Sequence, residues 1–325
     1  MHRAIELASK GLGRTAPNPP VGAVLVCDGK IVGEGFHPAT GQPHAEVFAL
    51  RDAGELALGA DLYVTLEPCC HHGRTGPCTE ALINAGVARV YIGAQDPNPL
   101  VAGKGVECLR QAGVDVICDV LMSESQSLIA PFTKSISNGL PYVVFKAAMT
   151  LDGKTATSDG DSQWISCAAS RELVHQLRDQ VDGIMVGSGT VNTDNPRLTT
   201  RLAEGGGRDP VRIVFDGSLM TSPQATLYTQ PSEAKTVLVT ASDHTEKSLQ
   251  HYRALGVEII QVSRTTDGLD LPAAMAELGK MNLRYLLLEG GSILGGAMMR
   301  ADLVDRVMIF VAPKIIGGDG HIPLL

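Results

Sequence analysis

Thr65-Leu66-Glu67-Pro68-Cys69-Cys70-His71-His72-Gly73-Arg74-Thr75-Gly76-Pro77-Cys78 is the stretch that decides the fold. Its start closes an apolar run, Asp61-Leu62-Tyr63-Val64-Thr65-Leu66, which reads as a buried strand stopped by Glu67-Pro68. Just past its end, Thr79 to Ala85 reads as a helix closed by Gly86. A strand therefore feeds a helix through a loop rich in Cys, His and Arg. On the N-terminal side, Val21 to Cys27 is a strand, Asp28-Gly29 a hairpin turn, and Lys30 to Phe36 the returning strand. Residues 3–12 and 45–53 read as helices. On the C-terminal side, strands over 87–94 and 114–118 flank a helix over 104–112, and a polar helix follows over 123–137. A hairpin followed by helix–strand alternation predicts a mixed sheet covered by helices.

The chain has 325 residues, which at roughly 100–200 residues per domain predicts about two domains. The boundary is expected near 140, where Asn138-Gly139 ends the polar helix and Pro141 opens a new strand. Domains over 1–140 and 141–325 follow. The second alternates strands near 183–187, 211–215, 236–240, 257–262, 284–288 and 305–311 with helices near 169–180, 243–254, 271–281 and 292–300. With 44% hydrophobic and 19% charged residues, the composition is globular rather than disordered. A net charge of −8 and an aromatic content of 4% argue against a duplex nucleic-acid binder or a base-stacking platform. No run of 18 apolar residues suggests a membrane span. Met1 to Leu7 lacks the apolar segment of a signal peptide. The odd count of 7 cysteines does not read as a disulfide framework. A cytoplasmic protein is expected.

The cysteines of the opening stretch gain meaning from His44-Ala45-Glu46 upstream. His44, Cys69 and Cys78 supply three of the four tetrahedral positions of one Zn²⁺ per chain. A catalytic zinc keeps its fourth position for water and lowers that water's pKa to about 7. Glu46 would carry the proton from water to a leaving amino group. His-x-Glu followed by Pro-Cys is the arrangement of zinc-dependent nucleobase deaminases. Two features are unusual. Residues two apart do not share a helix face, so His44 and Glu46 must both act from the first turn. The cysteines are also far wider apart than Cys-x-x-Cys. The competing reading is a closed structural zinc site using Cys69, Cys70, Cys78 and His71 or His72. His71, His72 and Arg74 together suit a substrate phosphate, or else form a solvated loop.

The second half holds four polar groupings: Asp152-Gly153-Lys154 after a strand bearing Lys146; Asp161 to Ser166, containing Trp164; Gly187-Ser188-Gly189-Thr190 with Asp194 to Leu198 and Arg201; and Glu289-Gly290-Gly291-Ser292 with Gly295-Gly296. Glycines between a strand and a helix let backbone N–H groups approach a phosphate. The dinucleotide fingerprint is not met, because Gly187-x-Gly189 lacks a third Gly at Asn192. Spacing alone leaves phosphate cradles and simple tight turns equally open, and Trp164 equally a core residue.

Taken together, these motifs resemble the bifunctional riboflavin biosynthesis deaminase/reductase family over nearly the whole chain. The deaminase likeness rests on residues 65–78, Pro17-Asn18-Pro19-Pro20-Val21-Gly22, Gly41 to Glu46 and Asp96-Pro97-Asn98-Pro99. The reductase likeness rests on Val143 to Ala156, Ser162-Gln163-Trp164-Ile165, Thr190 with Asp194, and Glu289-Gly290-Gly291. The resemblance implies an α/β architecture: an N-terminal cytidine-deaminase-like mixed sheet with helices, and a C-terminal dihydrofolate-reductase-like domain using NADPH. It implies zinc on His44, Cys69 and Cys78, Glu46 as acid/base, Asn18 and His37 at the pyrimidine, and His71 and Arg74 at the phosphate. Cys70 stands where Ser or Ala is common in the family. For the reductase it implies NADPH contacts from Trp164, Thr190, Asp194 and the run Gly291, Ser292, Ile293, Leu294, Gly295, Gly296 and Ala297. Ser162, Arg178, Leu198, Arg201 and Glu289 would touch substrate, the arginines at its phosphate, with Lys146 and Glu289 near the reacting ribose. The expected partner is a small phosphorylated pyrimidine, with neither nucleic acid nor membrane, and the expected assembly is a homo-oligomer, dimer or tetramer. A sheet of this reductase type would gain further strands after Leu325. The competing functions are a deaminase acting on tRNA or a free nucleobase, and a non-catalytic zinc-stabilised module with a fourth protein ligand.

Overall fold

The computed structural model describes residues 1–71, 76–157 and 165–317, with the backbone of 322–323. The chain divides into two compact units, Met1–Gly139 and Leu140–Leu325.

The first unit runs α1 (His2–Ser9), β1 (Gly22–Cys27), β2 (Lys30–Phe36), α2 (Ala45–Ala53), β3 (Asp61–Leu66), α3 (Cys78–Asn84), β4 (Arg89–Ala94), α4 (Lys104–Gln111), β5 (Asp115–Ile117) and α5 (Met122–Asn138). Its five strands lie in the order β2-β1-β3-β4-β5. Asp28 and Gly29 both adopt positive φ, the geometry of a two-residue hairpin turn, and bring Cys27 opposite Lys30. β3 runs antiparallel to β1 and parallel to β4, so the sheet is mixed as the hairpin-then-alternation pattern predicts. Ala23, Leu25, Leu62, Val64, Val90 and Ile92 face Ala45, Ala49, Leu82 and Leu109 on one side of the sheet. α1 and α5 cover the other side through Ala4, Leu7 and Ile129. Gly35 lets α2 lie directly on the hairpin: a Cβ there would sit 2.3 Å from the Ala45 carbonyl oxygen. That contact fixes the helix carrying Glu46. The strand expected from Val87 begins at Arg89, because the Val87 amide still bonds back to Leu82 O in the turn after α3.

The second unit continues with β6 (Tyr142–Thr150), β7 (Lys154–Ala156), α6 (Ala168–Gln180), β8 (Gly183–Gly187), α7 (Ser188–Asp194), β9 (Val211–Phe215), α8 (Thr226–Thr229), β10 (Thr236–Ala241), α9 (Glu246–Ala254) and β11 (Glu258–Val262). It ends with β12 (Arg264–Thr265), β13 (Gly268–Leu269), α10 (Leu271–Lys280), β14 (Tyr285–Glu289), α11 (Ser292–Arg300), β15 (Arg306–Ala312) and β16 (Ile322–Pro323). A seven-stranded sheet has the order β11-β10-β9-β8-β14-β6-β15, with every pairing parallel. Parallel strands covered on both faces are apolar on both. Val143, Phe145, Leu286 and Leu288 accordingly join one core cluster, and Val144 and Leu287 the other. β7, α7, α8, β12, β13 and β16 are not among the expected elements, and one expected helix starts late. Ser188–Asp194 is helical although only Val191 is buried, so no apolar period announces it. The helix expected from 243 starts at Glu246, where the Thr245 hydroxyl caps the Ser248 amide.

Candidate metal centre and cofactor cleft

In the first unit, β3 delivers Cys69 and the start of α3 delivers Cys78. Cys69 O accepts hydrogen bonds from Thr79 N (3.2 Å) and Thr79 Oγ1 (3.3 Å), and the Cys78 amide approaches Cys69 Sγ at 3.4 Å. This clasp folds the wide spacing between the cysteines back on itself. His44 is the N-cap of α2, with ψ 165°, so its side chain escapes the helical phase that Glu46 obeys. That extended residue lets both side chains of a His-x-Glu pair serve one site. His44 Nδ1 lies 3.2 Å from Cys78 Sγ and 3.5 Å from Cys69 Sγ, and the three ligand atoms fall within 4.8 Å of one another.

Such a donor set, two sulfurs and one imidazole nitrogen, fits Zn²⁺. The protonation pattern fits too. A hydrogen bond from Cys78 holds the Cys69 thiol well below its usual value despite burial, with His44 adding to the effect, while that bond and burial push Cys78 up. The hydrogen bond to Cys69 raises His44. Burial, reinforced by the Cys69 charge, raises Glu46, whose side chain is 3% exposed. Beside this centre His37 is buried. Its Nδ1 donates to Pro43 O at 3.0 Å, which leaves Nε2 to accept from Asn18 Nδ2 at 3.2 Å. Burial lowers the His37 pKa, keeping it neutral. The His37 and His44 rings meet edge to face with centroids 5.5 Å apart. His71 is exposed, near Asp96, whose carboxyl burial raises. Cys70 does not join the ligand cluster among the described residues. His72 and Arg74 lie outside the described residues.

Sequence reading missed Glu67, which looks like a mere strand stop. Its buried carboxylate accepts from the amides of Gly103 (3.0 Å), Val106 (3.1 Å) and Asp96 (3.3 Å). It thereby pins the 96–106 segment beside Pro68-Cys69. Only the tertiary structure reveals those partners.

In the second unit a cleft of about 1220 Å³ opens at the C-terminal ends of the parallel strands. β14 inserts between β8 and β6, so the strand order reverses there, where ligands of open parallel sheets bind. α7 leaves β8 and α11 follows β14, placing two helix starts at this crevice. Gly290 and Gly291 have positive φ, and a Cβ on Gly290 would lie 2.7 Å from Thr190 Oγ1. The bare Cα of Gly290 therefore admits the Thr190 side chain, and the two turns pack closely at the edge of the cleft. Thr190, Asp194, Gly291, Ser292, Ile293, Leu294 and Ala297 line the cleft, as do Lys146, Arg178, Leu198, Arg201 and Glu289. Gly295 and Gly296 do not. Both are buried; a Cβ on Gly295 would stand 2.8 Å from the Phe145 ring, and one on Gly296 would stand 3.2 Å from Arg300 Nη1 of the same helix. Ser162 and Trp164 lie outside the described residues.

Arg178 and Glu289, expected as separate substrate contacts, form one unit. Arg178 Nε and Nη2 meet the two Glu289 oxygens at 2.8 and 3.0 Å, and Nη1 donates to Thr199 O at 3.0 Å. Burial alone would raise Glu289, but the Arg178 charge outweighs it and holds the carboxyl low, with Lys146 assisting. Lys146 is the register partner of Glu289 across β6 and β14. Burial lowers Arg201, and the charges of Arg178 and Arg197 lower it further. These guanidiniums repel one another, an arrangement that an anionic ligand would relieve. His175, which sequence reading missed, also lines the cleft, and its Nδ1 accepts from Arg201 N at 3.2 Å.

Two family models match the chain: the RibD C-terminal domain over residues 141–324, and the cytidine and deoxycytidylate deaminase zinc-binding region over residues 1–94. The riboflavin biosynthesis protein RibD of Actinobacillus pleuropneumoniae is 46% identical over 318 residues, covering 98% of this chain and 84% of the relative. That of Escherichia coli K12 is 44% identical, covering 99% and 89%. The crystal structure of a Thermotoga maritima diaminohydroxyphosphoribosylaminopyrimidine deaminase/5-amino-6-(5-phosphoribosylamino)uracil reductase superposes with TM-score 0.86 at 41% identity, covering 99% of this chain and 88% of that one.

The buried pair makes a stability prediction. Arg178→Met strands the Glu289 carboxylate and should cost about 3–5 kcal/mol. Denaturation of R178M, E289M and the double variant checks this; the double loss should fall well short of the sum, and simple additivity would contradict the coupling. Because Glu289 is held low, the pair's contribution is present above about pH 4.3, the unfolded value, and is lost as pH falls through the folded value.

Proposed function

Because this chain belongs to the RibD family of riboflavin biosynthesis proteins, we propose that its two units divide the family's two reactions, deamination to residues 1–140 and reduction to 141–325. The protein is a bifunctional deaminase and reductase of riboflavin biosynthesis, using zinc for the first reaction and NADPH for the second. We assign the residue roles from the geometry of the two sites. The observation that carries this assignment is the convergence of His44 Nδ1 and two cysteine sulfurs beside the buried Glu46.

The deaminase substrate we propose is 2,5-diamino-6-ribosylamino-4(3H)-pyrimidinone 5′-phosphate. His44, Cys69 and Cys78 hold the metal, which when bound acidifies water and polarises the reacting centre. Glu46 takes a proton from the attacking water. A C–O bond forms at the amino-bearing ring carbon. Glu46 then returns the proton to the amino nitrogen, the C–N bond breaks and ammonia leaves. Its raised pKa suits a group that must both accept and release a proton. Asn18 and the neutral His37 orient the pyrimidine, and His71 with Arg74 receives the phosphate.

In the second unit Thr190, Asp194, Gly291, Ser292, Ile293, Leu294 and Ala297, with Trp164, hold NADPH, which supplies the hydride that turns ribosyl into ribityl. Lys146 and Glu289 flank the sugar. Leu198 and Ser162 shape its site, and Arg201 with the Glu289-bound Arg178 faces its phosphate. Net charge −8 makes these local cations necessary for an anionic substrate.

Among the described residues no helix is long and apolar enough to cross a membrane. We place the enzyme in the cytoplasm, where its metal-binding thiols stay reduced. Val307, Ile309 and Val311 on the edge strand β15 are 44%, 41% and 50% exposed, an apolar row that supports a homo-oligomer, dimer or tetramer. Sedimentation equilibrium at micromolar concentration reads this; a monomer would contradict it.

Glu46→Gln should lower ammonia release by about 10²–10⁴-fold with zinc content by elemental analysis unchanged. Undiminished deamination by that variant would overturn the assignment of Glu46.

A further inference from the structure

The cleft has a wall that neither reaction above uses. Arg264, at the start of the β12–β13 hairpin, lines it together with Gly217, Ser218, Asp267 and Leu269. Two bonds fix its guanidinium: Nε to Asp243 Oδ2 at 2.7 Å and Nη2 to Gly217 O at 2.6 Å. His244 Nε2 reaches the same carbonyl at 2.9 Å. Nη1 lies 3.6 Å from where a Gly217 Cβ would stand, so the unused edge of the guanidinium borders the bare backbone of that turn. Five N–H donors and two anchoring bonds leave donors for a further acceptor.

The strand order says what reaches this wall. β8 and β14 are neighbours, and β9 follows β8 on the side away from β14 and β6. Strands lie about 4.8 Å apart, so the end of β9 is about 10 Å from the end of β14. A dinucleotide with its phosphates at the helix starts after β8 and β14, and its nicotinamide toward Lys146 and Glu289, must send its adenosine toward β9. Leu269, with its Cγ 3.2 Å from the same Gly217 Cβ position, supplies an apolar surface there. Among the described lining residues from 215 to 271, Arg264 is the one cationic side chain.

We propose that Arg264 binds the 2′-phosphate of NADPH and sets the preference of this chain for NADPH over NADH. Asp243 aligns the guanidinium from outside, as Thr199 and Glu289 align Arg178. The inference rests on the reductase reading of the second unit.

Fluorescence titration of the full chain with NADPH and with NADH tests it. In R264Q the Kd for NADPH should rise at least about tenfold, equivalent to about 1.4 kcal/mol, while that for NADH stays constant. R264K, which keeps the charge without the fork, should fall between, and provides the comparison if R264Q misfolds. An unchanged NADPH-to-NADH ratio in either variant, or an equal loss of both nucleotides, would overturn the proposal. Failure of the unsubstituted protein to bind NADPH would instead overturn the reductase reading beneath it.

Discussion

Cys69, Cys78 and His44 hold two sulfurs and a nitrogen within 4.8 Å in a largely buried site, with the carboxyl of Glu46 beside them. Without a cation these groups can share only a limited negative charge, since each buried anion raises the proton affinity of its neighbours. The opposed displacements of the two thiols and the raised Glu46 express that conflict. A divalent cation held by His44, Cys69 and Cys78 would relieve this conflict by allowing both sulfurs to ionise. The surrounding architecture serves this cluster. Gly35 sets α2 on the hairpin, the Cys69–Thr79 clasp returns Cys78, and Glu67 fastens the neighbouring loop.

The second unit poses the same problem with the opposite sign. Burial and the charges of Arg178 and Arg197 disfavour the charged form of Arg201, and Glu289 offsets only part of that. An anionic ligand would offset the remainder. The parallel sheet contributes the location. Its order reverses between β8 and β14, so two helix starts meet at one crevice. Both units thus place ligand chemistry at strand ends and helix starts, where backbone groups are unpaired and side chains from distant sequence converge.

Much of this was legible before the structure. Asp28-Gly29 fixed the hairpin, and the apolar runs at 61–66, 183–187 and 211–215 reappear as strands with the same bounds. His44, Glu46, Cys69 and Cys78 announced themselves because few side-chain types bind zinc and because a motif sets their order. What could not be read was pairing across the chain. Nothing local to Arg178 or Glu289, 111 residues apart, says that they form one bidentate bridge. Glu67 looked like the end of a strand, since its three amide partners come from a later loop. α7 was hidden because Ser188 to Asp194 is nearly all polar, its helix arising from its position after β8 rather than from an apolar stripe. Gly295, whose missing side chain leaves room for the Phe145 ring, shows a second ambiguity. A glycine that admits a neighbouring ring and one that admits a ligand look alike in sequence.

Zinc K-edge X-ray absorption on the purified full chain reads the central cluster directly. The account predicts one zinc per chain with two sulfur scatterers at about 2.3 Å and one imidazole nitrogen at about 2.0 Å, the sulfur count falling to one in Cys69→Ser. A third sulfur, which would bring Cys70 into a closed structural site, or an unchanged sulfur count in Cys69→Ser, would contradict it.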